Sequence, residues 1–125
     1  MRVRIQGERF LPPWTDAQRM TAAVERVAGL LGIAGEIQID VRPWRSKTLG
    51  KVDDGVIVLY HRTFYKRRID PRWRTPERLW AWTIAHELVH LSQHKRGAVL
   101  PGDFAEPEAE ALEPIYGPII EDMQG

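Results

Sequence analysis

A chain of 125 residues, 43% apolar and 28% charged, has the make-up of one small globular domain spanning residues 1–125. It contains no cysteine, which excludes disulfides and thiolate metal sites, so any bound metal must be held by nitrogen and oxygen. No apolar run approaches the roughly 20 residues that span a bilayer. The start Met1-Arg2-Val3-Arg4-Ile5 has no apolar stretch of a secretory leader behind its charges. These features predict a cytoplasmic monomer with no membrane partner.

The net charge of +1 conceals an asymmetry. Residues 1–102 carry all 18 Lys and Arg against 10 acids, a balance of +8, whereas residues 103–125 carry 7 acids and no base, a balance of −7. A basic body and an acidic tail attract each other, and the body alone would suit an anionic partner.

In chain order, Arg2–Gly7 alternates Val3 and Ile5 with polar residues and predicts a strand that Pro12-Pro13 ends. Thr15 or Asp16 caps a helix to about Leu31, with Met20, Val24, Val27, Leu30 and Leu31 at helical spacing and Gly32 as the stop. Gly35–Arg42 alternates Ile37, Ile39 and Val41, a second strand. Lys47–Val52 and Gly55–Tyr60 flank Asp53-Asp54-Gly55, a hairpin turn signal. Arg62–Arg74 is a basic stretch broken by Pro71. Thr75-Pro76-Glu77 opens a helix with a cap, a first-turn proline and an acid. It runs to Lys95 or Arg96, with Gly97 as its stop. Asp103 or Glu106 with Pro107 starts a last helix, which Pro114 bends or ends, and Pro118 does the same to Ile119–Met123. The order predicts an α+β domain: helices on one small twisted, mainly antiparallel sheet.

Within the Thr75 helix lies His86-Glu87-Leu88-Val89-His90. Four residues turn a helix about 40° past a full circle, so His86 and His90 point the same way and can close on one ion. Glu87, about 100° from His86, lies to one side of that face. There it can reach a metal-bound water rather than the metal. Ala81, Ile84, Ala85, Leu88 and Leu91 fall on the opposite half and predict the buried side. The chemistry that suits this pattern is zinc-dependent peptide hydrolysis, with Glu87 as general base.

Zinc needs a third protein ligand. His94 lies two turns beyond His86 on the same rigid helix and is poorly placed, and position 96 is Arg rather than a third histidine. Among the downstream acids, Glu108 sits amid Phe104, Ala111, Leu112 and Ile115 on one helical face. A carboxylate centred on an apolar face is costly unless paired or metal-bound, so Glu108 is the expected ligand. Glu106 is the second candidate, because Pro107 leaves the helix start open. Glu106, Glu110 and Glu113 otherwise suit an acidic, solvated face.

The residues His86-Glu87-Leu88-Val89-His90 and Glu108-Ala109-Glu110-Ala111 resemble the gluzincin metallopeptidases, especially the minimal ones and the ImmA/IrrE-like group. Those families carry an H-E-x-x-H helix followed by a glutamate ligand, often within E-x-E-A. The resemblance covers about residues 75–112. It departs from the pattern where an asparagine often follows E-x-E-A and this chain has Leu112, and Glu106-Pro107-Glu108-Ala109 also fits E-x-E-A. SprT-like proteases match less well, since no histidine follows His94. The resemblance implies a zincin-like fold and a metalloendopeptidase. Zn2+ would be bound by His86, His90 and Glu108, and the substrate would be a peptide or protein. It also implies that the strand before the active-site helix, here Val56–Tyr60, receives substrate as an added strand. Tyr116, Tyr60, His61 and the basic stretch are candidates for stabilising the oxyanion.

Two other readings come from charge. Arg62, Lys66, Arg67, Arg68, Arg72, Arg74 and Arg78, interleaved with Phe64, Tyr65 and Trp73, invite nucleic-acid binding; a basic loop paired with the acidic tail is the favoured alternative. The acidic C-terminus could also block the protein's own cleft until removed.

Overall fold

In the computed structural model, residues 2–44, 46–61, 75–95 and 102–124 are described, with backbone only for 102–104. The basic stretch 62–74, Arg96 and Gly97 lie outside the described residues.

The helix signals act where the sequence puts them. The Asp16 carboxylate accepts a hydrogen bond from the Arg19 N–H at 2.8 Å and caps α1 (Ala17–Leu30). Gly32, at φ 72°, turns the chain out of it. Met20, Ala23, Val24, Val27 and Ala28 form its buried face. Thr75 Oγ1 accepts from the Arg78 N–H at 3.2 Å and starts α2 (Pro76–Lys95). Trp80, Ile84, Leu88 and Leu91 of α2 are fully buried. Each such side chain contributes roughly 1.5–3 kcal/mol of burial.

The strands are β1 (Arg2–Gln6), β2 (Glu36–Arg42), β3 (Gly50–Asp53) and β4 (Val56–Tyr60), in the spatial order β1-β2-β4-β3. The sheet is mixed, not mainly antiparallel: β1–β2 and β2–β4 are parallel, and only β3–β4 is antiparallel. α1 explains the first parallel pair, since a helix between two strands returns the chain to its starting end. The second arises because β3 passes to the outside and hairpins back, placing β4 between itself and β2. Asp54 (φ 50°) and Gly55 (φ 78°) supply the left-handed pair that a two-residue hairpin requires.

β4 is therefore central, paired with β2 on one side and β3 on the other. Val56–Tyr60 cannot accept a further strand. Among the described residues, the open edges belong to β1 and β3.

The last helix, α3 (Gly102–Gln124), is continuous through Pro107, Pro114 and Pro118. The prolines neither end nor divide it. Spaced seven and four apart, they line one side of the helix, and Pro107 and Pro114 are exposed. The carbonyls that lose their helical donor thus include those of exposed Glu110 and Pro114, which water can reach. Packing outweighs the lost bonds. Ile120 is fully buried in the core with Met20, Leu79 and Leu88. A Cβ on Gly117 would come within 2.5 Å of Trp82 Cγ, so glycine allows α3 to press against α2. The acidic C-terminal segment is thus anchored to the core through Ile120. Among the described residues, no helix is long and apolar enough to cross a membrane.

Candidate metal centre

α2 places His86 and His90 on one face, and α3 crosses above them. The His86 and His90 Nε2 atoms lie 3.0 Å apart. Glu106 Oε1 stands 3.3 Å from the first and 2.5 Å from the second. Ligands bound tetrahedrally at zinc distances are about 3.3 Å apart. Among the described residues, His86, His90 and Glu106 form a group that can hold a metal ion.

The far side of each ring is also held. His86 Nδ1 contacts the Glu113 carboxylate. His90 Nδ1 lies 2.9 Å from Gln93 Oε1. The Gln93 amide nitrogen donates to the Ala105 carbonyl at 3.0 Å and to Glu108 Oε1 at 3.1 Å. Both of those partners only accept, so the nitrogen must face them and the oxygen must face His90. His90 Nδ1 is therefore the donor to Gln93, and Nε2 is the ring nitrogen turned to Glu106. Two ring nitrogens and a carboxylate oxygen converging in this way need positive charge at their centre, a proton or a metal ion.

The electrostatics agree. Burial opposes a charged His86 ring, but the hydrogen bond and charge of Glu113, with the charges of Glu87 and Glu106, outweigh it and push the pKa up to about 9. Burial raises the Glu87 carboxyl, and Glu106 and Glu113 add to this against the opposing charges of His86 and His90. Burial also acts upward on Glu106, but the two histidines prevail and its pKa is lowered.

An open cleft joins this cluster to the edge of the sheet. Thr48, Gly50, Lys51 and Val52 line it on the β3 side, and His86, Glu87, His90 and His94 line it on the α2 side. Glu87 is only 5% exposed. A Cβ on Gly50 would lie 3.5 Å from the Glu87 Cγ, an ordinary contact, so Gly50 of β3 and Glu87 are immediate neighbours.

The carboxylate that closes the cluster is Glu106, while Glu108, the first expectation, is turned to Gln93. The reason is the rotation of α3. Its inward face runs through Ala109, Gly117, Ile120 and Gln124, and Ile115 is 57% exposed. At about 100° per residue, Glu106 and Glu113 fall about 60° and 40° from Ala109, whereas Glu108 falls about 100° to the other side. Gln93 and Glu113 were not anticipated as partners of the histidines. The seven-residue spacing of Glu106 and Glu113, in phase with Ala109 and Ile120, was the available signal. Of the candidate oxyanion donors, Tyr60 is buried, and Tyr116 packs against the core. His61 lies edge-on to Trp80 at 6.5 Å. The cleft lining contains His94 instead of these three.

Comparison with protein-family models, with curated proteins and with solved structures returned no match.

Proposed function

We propose that this protein is a zinc-dependent peptidase of the gluzincin type, with His86, His90 and Glu106 as metal ligands and Glu87 as general base. The observation that carries the reading is the convergence of His86 Nε2, His90 Nε2 and Glu106 Oε1 beside buried Glu87, in a cleft bordered by an edge strand. Two imidazoles, one carboxylate and an open side form the donor set of a catalytic zinc site rather than a closed structural one. Zinc held there supplies an acidified water and a Lewis acid for the scissile carbonyl.

The chain's own residues do the rest. Glu87 accepts the proton of the attacking water and returns it to the leaving amine. Its burial raises its basicity, which suits that task. Substrate backbone is oriented by β3. Tyr60 N–H donates to the Leu49 carbonyl at 3.0 Å, so the antiparallel alternation turns the backbone groups of Gly50 and Val52 to the open edge. The Gly50 carbonyl is taken by Thr48 Oγ1 at 2.8 Å. Val52 is left to pair with an extended peptide. An antiparallel edge strand beside the metal helix also supports a zincin-like fold.

The test is zinc content and hydrolysis of an unfolded protein such as casein. The wild type should hold one zinc and cleave. Glu87→Gln should keep the zinc and lose at least about 100-fold in rate. A wild type that takes up no zinc, or a Glu87→Gln variant that cleaves as well as wild type, overturns the proposal.

A further inference from the structure

Beside the cluster lies Gln93, which makes three hydrogen-bond contacts and which the peptidase reaction itself does not use. It is 5% exposed and sits one turn beyond His90 on α2. Its oxygen accepts from His90 Nδ1, and its nitrogen spans to the Ala105 carbonyl and Glu108 on α3. Ala105 immediately precedes Glu106 in the chain. One planar amide therefore links the back of a histidine ligand to the backbone that presents the carboxylate ligand. Glu106 needs such a tether: its side chain is 58% exposed, and it lies in the first turns of α3 beside Pro107, which has no N–H to add a helical bond.

We propose that Gln93 is a positioning residue that couples the two helices at the metal centre, fixing the His90 tautomer and the place of Glu106 together. This rests on the metal-site reading. The coupling follows from the chemistry of the amide. If the group flips, its oxygen faces the Ala105 carbonyl and the Glu108 carboxylate, two acceptors, so both contacts to α3 fail at once. Gln93 thus has one satisfied orientation, and that orientation demands both a proton on His90 Nδ1, which leaves Nε2 of the neutral ring as the ligand atom, and the observed approach of α3. Partners that orient metal-bound histidines in this way typically affect metal affinity 10–100-fold.

The experiment uses the full chain, with zinc affinity measured by competition with a chromophoric chelator. Cobalt(II) absorption reports the ligand geometry, and melting of the metal-free protein reports the fold. Gln93→Ala should weaken zinc about 10–100-fold and alter the cobalt spectrum. Gln93→Glu keeps an acceptor for His90 but cannot donate to α3, so it should remain well below wild type. In a Glu106→Ala background, where the two histidines leave only weak zinc binding, Gln93→Ala should have a smaller effect than in the wild type, because only its contact to His90 is left to lose. General loosening of the fold would instead weaken both backgrounds equally, and that result overturns the proposal. So does wild-type affinity in Gln93→Ala or in Gln93→Glu, when the parent protein binds zinc. A parent protein that binds no zinc removes the metal-site reading itself.

Discussion

Glu106 and Glu113 stand seven residues apart on one face of α3 and meet opposite edges of the same His86 ring. Glu106 Oε1 lies 3.3 Å from Nε2, and the Glu113 carboxylate contacts Nδ1. The two acids have different tasks. Glu106 shares the centre with both histidines, and Glu113 orients one of them from behind. Glu106→Ala should abolish tight zinc binding, whereas Glu113→Ala should retain a site weakened about 10–100-fold. Zinc titration of the two variants checks this; equal losses would mean that the roles are not distinct.

Glu108 provides the matching control. It is bonded to Gln93 rather than turned to the histidines. Glu108→Ala should still bind one zinc per chain, measured by atomic absorption after dialysis. A zinc-free Glu108→Ala beside a zinc-loaded Glu106→Ala would assign the ligand to Glu108.

Proton linkage follows from His86. In the metal-free protein its pKa lies at about 9, above the ordinary 6.5, because Glu113, Glu87 and Glu106 together outweigh burial. A raised histidine contributes stability that is fully present below about 6.5 and is lost as pH rises through about 9. Glu87, also raised, works in the same direction from its ordinary value of 4.5 upward. The metal-free protein should therefore lose stability between pH 6.5 and 9, and Glu113→Gln should flatten the trend. Metal binding needs neutral histidine, so zinc affinity should keep rising to about pH 9, with proton release visible by calorimetry in buffers of different ionisation enthalpy.

The open edge of β3 predicts a split between two neighbouring prolines. The N–H of Lys51 points into the sheet toward Val58, and that of Val52 points to the cleft. Val52→Pro should preserve the fold and raise KM for peptide cleavage, because it removes an outward donor. Lys51→Pro should destabilise the hairpin itself. Thermal melts and steady-state kinetics distinguish the two; equal melting temperatures would contradict the register.

The α2–α3 crossing depends on Gly117. An added methyl would meet Trp82 Cγ, Cδ1 and Cδ2 at 2.5–2.8 Å. The Trp82 ring is also held, by a hydrogen bond from Nε1 to Glu121 at 3.3 Å and by the Arg78 guanidinium at 4.8 Å. Gly117→Ala should destabilise by about 1–3 kcal/mol in urea titrations and loosen the His86–His90–Glu106 cluster, since the crossing sets the place of Glu106.

Much of this protein is legible locally. Asp16 and Thr75 mark helix starts, Asp54-Gly55 marks the hairpin, and His86 with His90 marks the paired imidazoles. Each is a relation within a few residues, governed by the period of the helix or the φ a turn requires. Three expectations met a different arrangement: the mainly antiparallel sheet, the strand open to substrate, and a last helix that proline bends or ends, which does not end there. All three depend on neighbours distant in sequence. Whether β4 is an edge or a centre is decided by where β3 crosses, and the prolines of α3 are tolerated because Ile120 is anchored in a core built by α1 and α2.

The same division runs through His86-Glu87-Leu88-Val89-His90. By itself the sequence determined that two histidines share a helical face with a glutamate beside them, because that follows from 3.6 residues per turn. Only the tertiary structure decided which carboxylate meets them. Along α3, Glu106 and Glu108 differ by two residues, yet by most of a half-turn around the helix axis. The rotation is set by the contact of Gly117 with Trp82 and the burial of Ile120, neither of which the local pattern of acids contains.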